Sequence, residues 1–397
     1  MLKVIRKRLA EIDGRKKKHY STSEMVERIL SIFFRQEKSF HSVESGEKLK
    51  EKEQMVSNTM AYFLKKADLN AMNELLFGFF HSAHRNKQLK DFFAIEGNIA
   101  LVIDGTGCFE SRVKHCENCT EKVRDGVTYY SYSLLVASVV NIKTHETIVV
   151  GLEPVLKQDG ADKNDCETNA AKRLLTRIQS YNPWKKYCVI ADGLYAGAPI
   201  IKQIKSYGWE ALISLTDETR QIYEVADCRF GNRKNDFFYT EKHENNYIWY
   251  EEKPLSDYWK TLDIPIYVAR RKVEALKKDG SVDNDKPVRT CFFISTIPLN
   301  ATNIKKINKA HRARWGIENT TINNLKTRFY MEHVFVYKAT GMVWAFASLA
   351  MNLFTVFKLR NRIISGFKRI TDVTMRKHIS EQLGGLDMFT KLFSLIT

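Results

Sequence analysis

An uninterrupted apolar run, Ile99-Ala100-Leu101-Val102-Ile103, stops at Asp104-Gly105-Thr106-Gly107. A second, Tyr187-Cys188-Val189-Ile190-Ala191, stops at Asp192-Gly193. Runs without alternation suit strands covered on both faces, as in a sheet sandwiched between helices. An acid placed where such a strand ends sits at the carboxyl edge of an α/β sheet, where ligands bind. An isolated Asp-Gly reads equally well as a hairpin turn. Its recurrence after two strands of this kind, with Glu318 alone in a basic stretch downstream, points to one shared carboxylate site.

The segments around these runs complete an α/β order. Residues 127–140 and 146–155 read as two further strands, separated by a turn at 141–144. Asn164-Asp165-Cys166-Glu167 resembles a capping box and opens a helix to about residue 180, with Glu167 as the box's second half rather than a metal ligand. A helix near 197–207 and a strand over 209–215 follow. The expected fold class is α/β: a mixed sheet flanked by helices, interrupted by a β-rich insertion and preceded by a helical region.

The chain divides by composition. Residues 1–90 form a helical, basic region, in which Ser21-Thr22-Ser23-Glu24 caps a helix through about Phe34 and further helices lie near 50–66 and 68–83. Residues 91–218 carry the first part of the core. Residues 219–297 are rich in Tyr, Phe and Trp, with turn signals at Asp279-Gly280 and Asp283-Asn284-Asp285, and read as the β-rich insertion. Its Trp249 and Trp259 read first as packing residues; stacking of a flipped base is the second reading. Residues 298–365 return to the core with the Glu318 helix, and 366–397 form a basic helical tail.

Lys and Arg number 63 against 46 Asp and Glu, a net charge of +17. Such a balance favours a polyanionic partner, nucleic acid before an acidic membrane surface. Residues 340–357 carry no charge and reach the short limit of a membrane span. They contain Gly341, Ser348, Asn352 and Thr355, so a buried core helix is the better reading. The seven cysteines are scattered, and no secretory leader pattern opens the sequence, so a reducing cytoplasm is expected rather than a disulfide framework. Cys116-x-x-Cys119 has the spacing of half a zinc site, which Cys166 would have to help complete. Chance spacing of buried thiols is the competing reading.

On an α-helix at 100° per residue, His311 lies about 20° from Glu318, Arg314 about 40° and Lys326 about 80°. One face therefore offers a carboxylate with a guanidinium and an imidazole beside it. The carboxylate suits Mg²⁺ and the guanidinium suits phosphate. The bland alternative is an Arg314–Glu318 surface ion pair.

These residues resemble the insertion-sequence DDE transposases with a ribonuclease-H-like core. The likeness rests on Val102-Ile103-Asp104-Gly105-Thr106, on Gln158-Asp159-Gly160 with Asp165-Cys166-Glu167, and on Ile190-Ala191-Asp192-Gly193-Leu194-Tyr195. Arg314-Trp315-Gly316-Ile317-Glu318-Asn319, followed by Leu325-Lys326, is its most specific part. It covers roughly residues 99–360.

The resemblance implies that Asp104, Asp192 and Glu318 bind two Mg²⁺ (or Mn²⁺) ions, and that His311, Arg314 and Lys326 contact DNA. Two departures stand out from the family's Tyr-x₂-Arg-x₃-Glu-x₆-Lys pattern: His311 fills the Tyr position, and Lys326 falls one residue late. The implied activity is cleavage at element ends followed by strand transfer into target duplex DNA. The implied setting is a DNA-bound homodimer in the cytoplasm at the nucleoid, with no membrane. A nuclease on the same core without strand transfer, and a DNA-binding regulator with a decayed site, are the alternative functions.

Overall fold

The Ser21 hydroxyl accepts from the Glu24 amide (3.2 Å), and the Glu24 carboxylate accepts from the Ser21 amide (2.7 Å), so the expected capping box opens helix α1 (Thr22–Arg35). Its apolar side, including Met25, Ile29 and Phe33, is fully enclosed. Helices α2 (Phe40–Lys48), α3 (Ser57–Lys66) and α4 (Leu69–Arg85) follow. The computed structural model describes residues 11–48, 55–89, 92–160, 163–218, 221–232, 248–252, 264–361 (apart from 274, 276, 278, 280, 282 and 284) and 370–376. The basic arm before residue 11, Trp259, the Trp249 side chain and most of the 366–397 tail lie outside them.

The strands are β1 (Phe93–Ile95), β2 (Asn98–Ser111), β3 (Thr120–Arg124), β4 (Val127–Val140), β5 (Thr147–Pro154), β6 (Tyr187–Ala191), β7 (Glu210–Leu215), β8 (Ile248–Glu252), β9 (Ile266–Val273) and β10 (Arg289–Ser295). They form one mixed sheet in the order β3-β4-β2-β6-β7-β10-β9-β8, with β1 on β2 and β5 on β4. β2, β6 and β7 run parallel, while β4 runs antiparallel to β2 and β5 antiparallel to β4. This is the mixed sheet of a ribonuclease-H-like core, with β2 at its centre. Strands β2 and β6 are buried along their apolar runs, as unalternating sequence requires.

Helices α5 (Lys163–Tyr181) and α6 (Ala198–Ser206) link β5 to β6 and β6 to β7. Helix α5 begins at Lys163, so Asn164 lies inside its first turn rather than at its cap. The insertion opens with a helix, α7 (Gln221–Asn232), where the sequence suggested only strands. Its strands then add to the core sheet through β10, which pairs antiparallel with β7. Aromatic richness shows that these segments are half-buried; the partner they are buried against is set by tertiary pairing.

Helix α8 (Ile304–Arg312) leads into a helical stretch through Arg328, and helix α9 (Thr340–Asn361) closes the described core. α9 includes the uncharged segment. Within Tyr337–Asn361 an 18-residue window has a mean hydropathy of 1.5, and 83% of that window is buried inside the fold. It is a core helix. Its Asn352 donates to the Val149 carbonyl (2.7 Å) and accepts from the Val149 amide (2.8 Å). Asn73 of α4 makes the same pair of bonds with Leu152. Two buried amides therefore satisfy outward-facing backbone groups of β5, which would otherwise be stranded in the core.

Candidate active site

Strand register decides which side chains share a face. Val102 of β2 lies beside Ile190, Ile190 beside Leu212, Ser214 opposite Phe293, and Phe293 opposite Ala269. Side chains two residues apart on a strand point the same way. Asp104, Ser214 and Phe293 therefore face one side of the sheet, the side taken by α8 and the Glu318 stretch. Gly105 faces the other side, toward α5.

Asp104 is nearly enclosed, at 9% exposure, and its Oδ1 accepts from the Gly105 amide at 3.0 Å. Burial first, then the Glu318 and Asp192 carboxylates, push its carboxyl up to about 7, against Arg314 and that amide. Asp192 follows β6 directly. Its Oδ1 accepts from the Leu194 amide (2.9 Å) and caps the turn Gly193–Tyr195. The two aspartates and Glu318 are thus close enough for each acid to raise the cost of ionising Asp104.

Glu318 sits where the helix departs from α geometry. After the short α turn Arg314–Gly316, Ile317–Ile322 and Asn324–Arg328 are π-helical. Wide turns of this kind recur at functional sites, because the inserted residue re-aims its neighbours. Thr321 donates to the Thr147 hydroxyl (2.6 Å) within the core and fastens this stretch to β5. The Glu318 carboxylate accepts from Arg314 Nη1 at 2.8 Å, with the arginine side chain 16% and the glutamate side chain 46% exposed. The ion pair foreseen as the bland reading is therefore present, and it sits on the site itself.

Lys326 is half-buried and lines a cavity of about 880 Å³ together with Gly107 and Cys108 of β2. The π-helical turns bring it toward the strand of Asp104 despite its late position in the sequence. His311 is different. It is buried, its Nε2 hydrogen-bonds the Ser214 hydroxyl (3.0 Å), and its ring stacks on Phe293 at 4.7 Å between centroids. Burial and the Arg271 and Arg314 cations hold its imidazole down to about 3, so it is neutral. The expected DNA contact is corrected by this packing: His311 fastens α8 to the sheet behind the exposed residues.

Glu167 also departs from its expected role as a cap. Its Oε1 accepts from the Tyr195 hydroxyl at 2.8 Å, and a Cβ on Gly105 would lie 2.4 Å from that same oxygen. Gly105 therefore serves a close approach rather than a turn, and it admits a fourth carboxylate to the rim of the site. Burial, Glu167, Asp192 and Asp104 together raise the Tyr195 hydroxyl well above the usual phenol range. The signal in the sequence was the glycine directly after Asp104, which a turn explained too easily.

The zinc expectation is not supported. Cys116 and Cys119 lie with sulfurs 3.3 Å apart, but the Cys166 thiol is directed at the backbone oxygens of Lys157 and Gly160. Among the described residues, no three His, Cys, Asp or Glu side chains stand together as a ready metal cage. This includes the two aspartates and Glu318, because Glu318 is turned to Arg314. Their mutual repulsion on a buried Asp104 nevertheless fits a divalent cation. Oxygen ligands from three separate elements suit Mg²⁺, and its charge would relieve the repulsion from Glu318 and Asp192 that helps to raise the Asp104 carboxyl.

A protein family described as Transposase DDE domain matches residues 101–354. The match begins within β2, ends within α9 and spans both aspartates and Glu318. No curated protein matches the chain.

Proposed function

The chain belongs to the family of transposases with a DDE domain, and from that membership we propose that it cleaves DNA at the ends of a mobile element and joins the freed 3′ ends to target duplex. The family acts on nucleic acid; the specific reaction is our reading. The observation that carries it is the electrostatic meeting of Asp104, Asp192 and Glu318, with Asp104 inside β2 level with the end of β6, where Asp192 stands.

Asp104, Asp192 and Glu318 would hold the divalent ions, Mg²⁺ or Mn²⁺, with Glu318 exchanging its Arg314 partner for the cation. Such ions supply activation of an attacking oxygen and neutralisation of a leaving one. The protein's own share is placement. Arg314, released from Glu318, is positioned to take a phosphate bidentately beside the carboxylates. Lys326 adds a cation on the β2 side, along the cavity lined by Gly107 and Cys108. A phosphodiester fixed at two points beside the acids is oriented for in-line attack, first by water and then by a 3′-hydroxyl. The polypeptide forms no covalent bond to DNA in this scheme. A DNA-bound homodimer, holding two ends together, completes the reading.

The test uses DNA carrying the element's own flanking ends. Cleavage that needs Mg²⁺ or Mn²⁺, followed by joining of pre-cut ends to a plasmid, is the expected result. Cleavage without joining would identify a nuclease on the same core. Binding without either would identify a DNA-binding regulator.

A further inference from the structure

All seven cysteines are free thiols, and two of them already stand together. Cys116 and Cys119 close the turn that leads into β3. The Cys119 amide donates to the Cys116 carbonyl at 3.1 Å, and the two sulfurs lie 3.3 Å apart. A four-residue turn holds its end Cα atoms within ~7 Å, and disulfides span ~4.4–6.8 Å. An S–S bond is ~2.05 Å long, so the sulfurs need to approach by about 1.2 Å, within reach of side-chain rotation.

The turn is held on both sides. Before it, His115 stacks on Tyr130 at 4.4 Å between centroids, and the Lys114 ammonium lies 4.7 Å from the centre of the Tyr337 ring. After it, β3 pairs with β4 from Thr120 onward. Two thiols presented to each other in this way react without a search, which favours the step within the chain over one between chains. Their surroundings differ. Cys116 is half-buried, whereas Cys119 is enclosed at 3% exposure. Burial raises the Cys119 thiol, against the Cys116 amide that donates to its sulfur at 3.3 Å. A thiolate is costly there, whereas a disulfide carries no charge and suits an enclosed position. Cys108 is a third thiol near Tyr132, but its sulfur is directed at the Thr106 carbonyl.

We propose that Cys116 and Cys119 form a reversible redox couple, closed by a small-molecule disulfide and reopened by a thiol. The Cys116 thiolate attacks one sulfur of the small disulfide, whose S–S bond breaks, and the departing thiolate takes up a proton. The Cys119 sulfur gives up its proton and attacks Cys116 Sγ, so the mixed disulfide breaks and the second small thiol leaves. The dithiol loses two electrons and two protons, and the small disulfide gains both. This chemistry is separate from the DNA reaction proposed above. It acts beside the same cavity: Thr120, Glu121, Lys122 and Arg124, which follow Cys119, line it together with Lys326. The closed couple clamps the start of that wall.

The experiment incubates the folded full chain with oxidised glutathione, quenches it in acid, alkylates the remaining thiols under denaturing conditions and maps the peptides by mass spectrometry. Alkylatable thiols are expected to fall by two. The peptide carrying residues 116 and 119 should be lighter by two hydrogens, and dithiothreitol should restore both thiols. Cys119→Ser should stop at the mixed disulfide, with glutathione on Cys116, whereas Cys116→Ser should take up no glutathione at the enclosed Cys119. Thiols at 116 and 119 that persist in oxidised glutathione would overturn the inference. So would a lasting glutathione adduct on Cys116 of the wild-type chain, a bond from Cys108 to either thiol, or closure seen only in urea. The wild-type peptide map decides by itself if a variant fails to fold.

Discussion

Two polar residues on the same buried helix should respond to substitution in opposite directions. Asn352 and Ser348 both lie on α9 and both are fully enclosed. Asn352 makes two hydrogen bonds, at 2.7 and 2.8 Å, to the amide and carbonyl of Val149. The Ser348 hydroxyl has no hydrogen-bond partner among the described residues. Asn352→Leu strands one buried donor and one buried acceptor, each costing about 1–3 kcal/mol. The added apolar side chain returns at most ~1.5–3 kcal/mol, and less if the Asn-shaped space is tight. The net expectation is destabilisation by about 1–3 kcal/mol. Ser348→Ala removes an unsatisfied hydroxyl at little cost in volume and should be neutral or slightly stabilising. Urea unfolding of the three proteins, followed by tryptophan fluorescence, makes the comparison. A helix that only needed to be apolar would be stabilised by both changes. Asn352→Leu at or above wild-type stability would refute the edge-satisfying role assigned to Asn352 and, with it, the docking of α9 on β5.

Asp104→Asn, Asp192→Asn and Glu318→Gln should each reduce metal-dependent cleavage by at least ~10²-fold while duplex binding persists, since the three groups act as a unit; any one of them cleaving within tenfold of wild type removes that residue from the site. Arg314→Ala should slow single-turnover cleavage even at saturating protein, whereas Lys305→Ala, remote from the acids along α8, should weaken binding alone; a wild-type rate for Arg314→Ala at saturation would reduce Arg314 to an affinity contact. Acid should destabilise the fold through His311, whose imidazole is held at about 3 against an ordinary 6.5. Below pH 6.5 the unfolded chain takes up a proton that the folded chain refuses, so stability falls with falling pH across the window from about 6.5 to about 3, by up to ~1.4 kcal/mol per unit. Denaturation at pH 7 and pH 5 should show this loss, and His311→Gln should flatten it; an equal slope in both proteins contradicts the buried, neutral imidazole.

Period and punctuation alone determined much of this protein. Unalternating runs at 99–103 and 187–191 marked the central parallel strands, because a strand covered on both faces has no polar side to show. The Ser21–Glu24 spacing fixed the start of α1, because a capping box is closed within four residues. Asn352 and Ser348 inside an uncharged segment marked a core helix, because a polar amide is kept there only where a backbone edge awaits it. Asp192 was legible as a strand-end acid for the same local reason, whereas β2 does not end at Asp104 as its apolar run suggests but continues through it to Ser111, paired with β4. Tertiary structure decided the rest. Whether strands β8–β10 stand apart or extend the core sheet depends on pairing between segments far apart in the chain, which no local pattern encodes. The 100° rule placed His311 and Arg314 on one face with Glu318, but only packing against Ser214 and Phe293 turned His311 inward. π-helical turns brought Lys326 toward β2 from a position one residue late. The spacing of Glu167 suggests a cap, whereas in the fold Gly105 makes room for its carboxylate, which accepts from the Tyr195 hydroxyl. A side chain's sequence neighbours set its period, but the partners that satisfy or strand its charge come from other strands and helices, and those are fixed only when the sheet closes.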